Sequence, residues 1–234
     1  VEDLLLLGID TSGKTASAAL YDTESRIVLA QNTLYTQKTH SQVIMPICKE
    51  IIAQTGHQMS DINAIAAANG PGSYTGLRIG VAAVKAMSFA LGCKCCGVST
   101  LEGLAYNNLQ FCGVICSVMK ARGELVYSCC YRSNGIFLRQ LCPEQLIERS
   151  AVAEFLKTLD EEKILVCGDA AEDFSADYGN DSYIAAPPGA RIQNATGICL
   201  AAAEKELIEP DFLEVSYLQK VKAEKDLEER TKKS

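Results

Sequence analysis

Histidine is scarce in this chain: only His40 and His57 are present, far apart in sequence. A structural zinc site needs four converging donors, most often cysteine and histidine. The best candidate, Cys93-Lys94-Cys95-Cys96, has no second Cys-x-x-Cys pair to complete it, so no metal is expected. Long apolar runs are lacking too. Residues 62–68 are too few to cross a bilayer of roughly 30 Å, and 79–91 is broken by Lys85 and Ser88. The opening Val1-Glu2-Asp3 has none of the basic character of a signal peptide, so neither secretion nor a membrane span is expected. Positive charge is outweighed, with 22 Lys and Arg against 29 Asp and Glu and a net charge of -7. Such a balance repels a phosphate backbone, so nucleic acid would have to be gripped mainly by a partner. Cysteine, in contrast, is abundant. Eleven of them, an odd number spread through strand-like segments, argue against a disulfide framework and for a reducing cytoplasm, with the thiols acting as small buried hydrophobes.

With 48% hydrophobic and 22% charged residues over 234 positions, the chain suits a globular protein of one large or two small domains. Apolar patterning predicts strands at 4–10, 16–22 and 27–33, a helix at 41–54 entered or kinked at Pro46, a strand at 62–68, a helix at 73–91, a strand at 94–98 and a helix at 100–108. A second three-strand meander follows at 112–119, 124–131 and 136–141. After it come a helix at 151–158, a strand at 164–167 and a helix at 194–207 capped by Asn194. Residues 168–197, rich in Gly, Pro, Asp and Ser, read as mostly loop. Two tandem βββαβα-type units are the pattern of the actin-like ATPase (ASKHA) α/β fold, with a cleft between domains. The expected division is 1–108, 109–216 and a mixed-charge tail at 217–234, whose "KVKAEKDLEERTKK" reads as a solvated helix or frayed end.

The stretch "NGPGSYTGLRIGVAAVKAMSFALG" at 69–92 looks at first like a phosphate-binding loop. It lacks the Lys-Ser/Thr pair of a P-loop, since Leu77-Arg78 follow Gly76, and its glycines are not at Rossmann spacing. Wound as a helix, Gly76, Gly80, Ala83, Met87 and Ala90 form one narrow stripe of mostly small residues. Leu77, Val81, Val84 and Leu91 form a bulkier stripe beside it, with Arg78 and Lys85 on the solvent side. Glycine inside a helix costs about 1 kcal/mol relative to alanine, so two of them point to a close approach by another backbone. Spacing alone leaves open whether that backbone lies in the same domain or in another subunit.

Taken together, "LGIDTSGKTASAALYD", "THSQVIMPICKEII", "GPGSYTGLRIGVAAVKAMSFAL" and "GVSTLEGLA", with "MKARGELVYSCCY" and "VSYLQKVKAEKD" further on, resemble the TsaB (YeaZ) family of bacterial tRNA threonylcarbamoyladenosine biosynthesis. The resemblance is strong over the N-terminal half. It implies an actin-like fold and a cytoplasmic, non-catalytic partner and activator of the catalytic subunit TsaD, with the ATPase TsaE as third member. The complex installs threonylcarbamoyl on the adenosine next to the anticodon of tRNAs reading codons that start with A. The resemblance also implies a homodimer when the chain is alone, and contact with tRNA only through the complex. On that basis the two helices pack against their counterparts in the partner, through Ile44, Ile47, Cys48 and Ile51 on the first and Gly76, Leu77, Gly80, Ala83 and Met87 on the second.

The same resemblance implies that catalysis lies elsewhere. In the catalytic relative two metal-binding histidines stand four residues apart, where this chain has Thr100 and Leu104, and neither offers an imidazole. Asp10, Thr11 and Ser12 stand at the first β-turn, a possible vestigial phosphate site or simply a strand-end turn. At the second turn Lys120 replaces an Asp common in the family, which disfavours magnesium, and Gly168-Asp169-Ala170 keeps only part of a Gly-Asp-Gly turn. No catalytic residue, metal or cofactor is therefore expected. The alternative reading is an independent actin-like phosphotransferase or a metal-dependent glycopeptidase-like enzyme.

Overall fold

The structure, a computed structural model, describes residues 4–159, 161, 163–179 and 182–218; the predicted charged tail from residue 219 onward lies outside them. Central strands buried along nearly their whole length build two sheets of the same design. In the first, β1 (Leu5–Asp10), β2 (Thr15–Asp22) and β3 (Ile27–Tyr35) form an antiparallel meander. β4 (Ala64–Gly70) and β5 (Lys94–Ser99) add in parallel, giving the order β3-β2-β1-β4-β5. α1 (His40–Gln54) and α2 (Tyr74–Leu91) make the crossovers. α1 runs unbroken from His40 through Pro46, so it does not start late.

After α3 (Thr100–Tyr106), the second sheet repeats the plan. β6 (Gly113–Lys120) pairs antiparallel with β7 (Leu125–Ser133), whose outer edge takes β8 (Leu138–Gln140) and β9 (Gln145–Glu148). α4 (Arg149–Lys157) leads to β10 (Ile164–Cys167), parallel to β6. The stretch read as loop holds α5 (Ala171–Tyr178), β11 (Tyr183–Ala185) and the short α6 (Pro188–Arg191), and β11 completes the sheet in parallel with β10. The chain then forms α7 (Ala195–Ala202), which Asn194 caps by accepting the Thr196 N–H at 3.0 Å, as its position before the apolar run predicts.

Four layers of core hold this together. α1 and α2 cover one face of the first sheet through Leu7, Ile9, Ile44, Ile47 and Val84, and α4 and α5 cover the far face of the second through Val152, Leu156 and Phe174. α3 and α7 fill the space between the sheets. α3 supplies Leu101 and Leu104 to the second sheet, while α7 returns across the boundary and packs Ile198 and Cys199 on β1, β2 and β4. The assignment of 109–216 to one unit therefore needs correction. α7, the Ile208 bridge to Cys95 and buried Leu213 all belong with the first sheet. The reason is packing: α7 buries Ala195, Ile198, Cys199, Ala201 and Ala202 against the first sheet and α3.

Candidate functional site

β4 ends at Gly70, and Ser73 opens α2 by accepting the Gly76 N–H at 3.2 Å; Gly92, left-handed at φ 66°, closes it. The helix is pinned at its start to the β1–β2 turn. Ser73 N–H donates to the Ser12 carbonyl at 2.7 Å, and the Thr11 hydroxyl donates to the Gly76 carbonyl at 2.7 Å. A Cβ placed on Gly76 would strike the Thr11 carbonyl oxygen, and one on Gly80 the Thr11 hydroxyl. The backbone that needs this closeness is thus the chain's own.

This corrects the interface expected from the sequence. Gly76, Leu77, Gly80 and Met87 on α2, and Ile44, Ile47, Cys48 and Ile51 on α1, are all buried within the chain. Of the expected set only Ala83 keeps partial exposure. The spacing correctly marked a line of close approach, but periodicity does not say what approaches. The surface of α2 lies elsewhere: Thr75, Arg78, Ala82 and Ala86 are exposed, Phe89 is 56% exposed, and Ala90, at the helix end of the glycine stripe, is exposed too. Arg78 lies 3.9 Å over the Tyr74 ring and donates to the Tyr217 hydroxyl at 3.1 Å, and Tyr217 stacks on Tyr74. Lys85, expected in solvent, instead donates to the Asp211 and Leu213 carbonyls at 3.1 and 3.2 Å and ties the returning segment to α2. Sequence reading missed Ala82, Ala86 and Phe89, although alanines four apart on one arc were a visible signal.

A cleft of about 460 Å³ opens between the hairpin turns of the two sheets, lined by Ser12, Lys14, Ser73, Lys120, Arg122 and Gln193. Asp10, Thr11 and Ser12 reach it poorly, each at most 2% exposed. The Asp10 carboxylate accepts the Ser12 N–H at 2.8 Å and its hydroxyl at 2.6 Å, while burial raises the Asp10 pKa. Asp10 and Ser12 thus bond each other within the turn, while Thr11 bonds α2.

At the other wall Lys120 pairs with Asp173 at 2.6 Å, and its backbone N–H donates to Asp169 at 2.7 Å; burial raises the Asp169 pKa. Gly168 takes the positive φ of this turn at 106°, and Ala170 sits at an ordinary φ of -95°, so no third-position glycine is needed. Arg191 pairs with Glu172 at 2.5 Å. Lys14 and Arg122 make no ion pair among the described residues, which gives the cleft a positive character suited to an anion. Among the described residues no group of three His, Cys, Asp or Glu converges as a metal site. Thr100 and Leu104 are buried on α3 between the sheets. His40 begins α1, and His57 is half-buried with its Nδ1 3.1 Å from the Thr55 hydroxyl. No helix among the described residues is long and apolar enough to cross a membrane.

Two units of one topology, a hairpin turn from each facing a shared cleft, define an α/β protein of the actin-like ATPase fold. A solved structure of YeaZ from Pseudomonas aeruginosa has this fold, with a TM-score of 0.73 and 22% identity over 92% of this chain and 100% of that one. The family model described as TsaD: tRNA N6-adenosine threonylcarbamoyltransferase matches residues 28–233. The tRNA threonylcarbamoyladenosine biosynthesis protein TsaB of Bacillus subtilis is 35% identical over 67% of this chain and 68% of its own length. The protein of that name from Escherichia coli is 32% identical over 56% and 58%. The chain belongs to the TsaB (YeaZ) family of tRNA threonylcarbamoyladenosine biosynthesis proteins.

Proposed function

We propose that this chain is the non-catalytic partner and activator of a TsaD-like transferase that installs threonylcarbamoyl on the adenosine next to the anticodon of tRNA. The observation that carries the reading is the outward arc of α2, where Ala82, Ala86 and Phe89 leave an apolar strip uncovered beside the Arg78 cation. Small side chains there let a partner helix approach closely, and Phe89 supplies a bulky anchor of the kind that dominates interface energies. The same strip serves a homodimer when the chain is alone. A TsaE-like ATPase joins the assembly, tRNA is held by the complex rather than by this acidic chain, and the work is done in the cytoplasm.

The non-catalytic reading draws support from the cleft. Asp10 is consumed by Ser12, Lys120 by Asp173, and Thr100 and Leu104 offer no metal ligand. The test is reconstitution of adenylate synthase, TsaD-like subunit, TsaE-like ATPase and tRNA with threonine, bicarbonate and ATP. Modification is expected only when this chain is added, and the isolated chain is expected to show no ATP turnover. Turnover by the isolated chain would favour the phosphotransferase alternative instead.

A further inference from the structure

The outer edge of the second sheet is interrupted. β9 pairs with β7 as far as Ser128 opposite Gln145, and β8 takes over from Tyr131 opposite Gln140, so Cys129 and Cys130 fall in the gap. The chain crosses this gap as residues 141–144. Leu141 N–H donates to the Cys130 carbonyl at 2.8 Å, but the Cys130 N–H meets no carbonyl and donates to the Cys142 sulfur at 3.3 Å. Two further bonds fix Cys142: the Cys129 thiol donates to its carbonyl at 3.2 Å, and the Gln140 amide donates to that carbonyl at 2.9 Å.

Neighbours on a strand face opposite ways. Cys130 accordingly joins the core under α4 and Cys129 the core under α3, while Cys142, half-buried at the edge, packs against both. Cys130 and Cys142 share the lining of a cavity of about 440 Å³ walled by Leu141, Ile147, Val152 and Phe155. A backbone N–H donating to a sulfur favours its thiolate, and at Cys142 the Cys130 N–H does so. The Cys142 thiol is held well below the usual range by the Cys129 and Cys130 thiols and then by the Cys130 N–H. Cys129 and Cys130 are pushed up, first by their thiol contacts with Cys142 and Cys116 and then by burial.

We propose that Cys142 is a modification site for hydroperoxides, and that Cys130 captures the oxidised sulfur as an intramolecular disulfide. The Cys142 thiolate attacks the peroxide, the O–O bond breaks, and the sulfur, oxidised by two electrons, becomes a sulfenic acid as the second oxygen leaves with a proton as water or alcohol. The Cys130 thiol then attacks that sulfur. The S–S bond forms, the S–O bond breaks, and the hydroxyl leaves as water with the Cys130 proton.

The full chain, reduced and then treated with limiting hydrogen peroxide, gives the test. After blocking and tryptic cleavage, Cys142 lies in peptide 140–149 and Cys129 and Cys130 in peptide 123–132. The expected product is a disulfide joining these peptides, absent in Cys142→Ser. Cys130→Ser, and Cys130→Ala as a second variant with a melting curve checked against the parent, should instead accumulate a Cys142 sulfenic acid that dimedone traps. Cys142 should oxidise at least about tenfold faster than Cys112, the exposed thiol that accessibility alone favours. Oxidation of Cys112 while Cys142 stays reduced would overturn the site. A disulfide between Cys129 and Cys142 in the parent chain or in folded Cys130 variants would overturn the capture step.

Discussion

The two lines of small residues on α2 differ in what lies beyond them. Gly76 and Gly80 press against Thr11, close enough that a methyl group would collide, and the hydroxyl of Thr11 bonds the Gly76 carbonyl in return. Ala82 and Ala86, off that line, are exposed and share their arc with exposed Phe89. One line is a requirement of the monomer's fold. The other has no evident use within the monomer, and that contrast is the reason for assigning it to a partner. A pattern of small residues at helical spacing therefore says that something comes close, while only burial says whether it is self or another subunit.

The contrast breaks first at Gly80. Gly80→Leu drives a bulky side chain into Thr11 and should cost about 3 kcal/mol of stability, read as a lowered midpoint in urea unfolding. A mutant as stable as the parent would mean that the inward line is not what the fold needs. On the outward arc Phe89→Asp should leave unfolding within about 0.5 kcal/mol of the parent, as surface changes do. It should weaken binding to the TsaD-like subunit by about 100-fold, measured by calorimetric titration. Thr11→Val sharpens the inward side, since it removes one buried hydroxyl bond and should cost about 1 kcal/mol by the same unfolding assay.

Two smaller effects concern the cleft. Burial raises the folded-state Asp10 pKa above its unfolded value, so the native chain holds this proton to higher pH and its stability falls as pH rises through that window. Asp10→Asn keeps an acceptor for Ser12 and carries no charge. It should therefore be the more stable chain at neutral pH, with the difference closing as the pH drops below the ordinary carboxylate range. Lys120→Ala removes a half-exposed pair with Asp173 and should change stability by about 0.5 kcal/mol or less.

Much of this architecture was legible in the residues. The buried strands β1, β2 and β4 and the long helix α2 announce themselves through runs of Leu, Ile and Ala with clear turn signals at Gly13 and Gly92. α5 did not, because in eight residues it buries only Ala171 and Phe174, too little to set a period amid Glu, Asp and Ser. β9 is four residues long, with three half-buried residues and an exposed Glu148, and buries none fully. The return of α7 to the first sheet is a long-range choice that no local pattern encodes. That Thr100 and Leu104 carry no imidazole is plain from the residues themselves. The facing of Gly76 and Gly80 is not, since a helical wheel gives angles around an axis and says nothing of which side the β1–β2 turn occupies.

The central claim is that the outward arc of α2, and not the glycine line, is where this chain meets its catalytic partner. It is tested most directly by threonylcarbamoyl transfer to tRNA in the reconstituted system with Ala86→Arg, a change that adds bulk and charge to the arc while touching no core residue. A folded Ala86→Arg chain that no longer supports modification is the predicted result. Full modification with that chain would contradict the account.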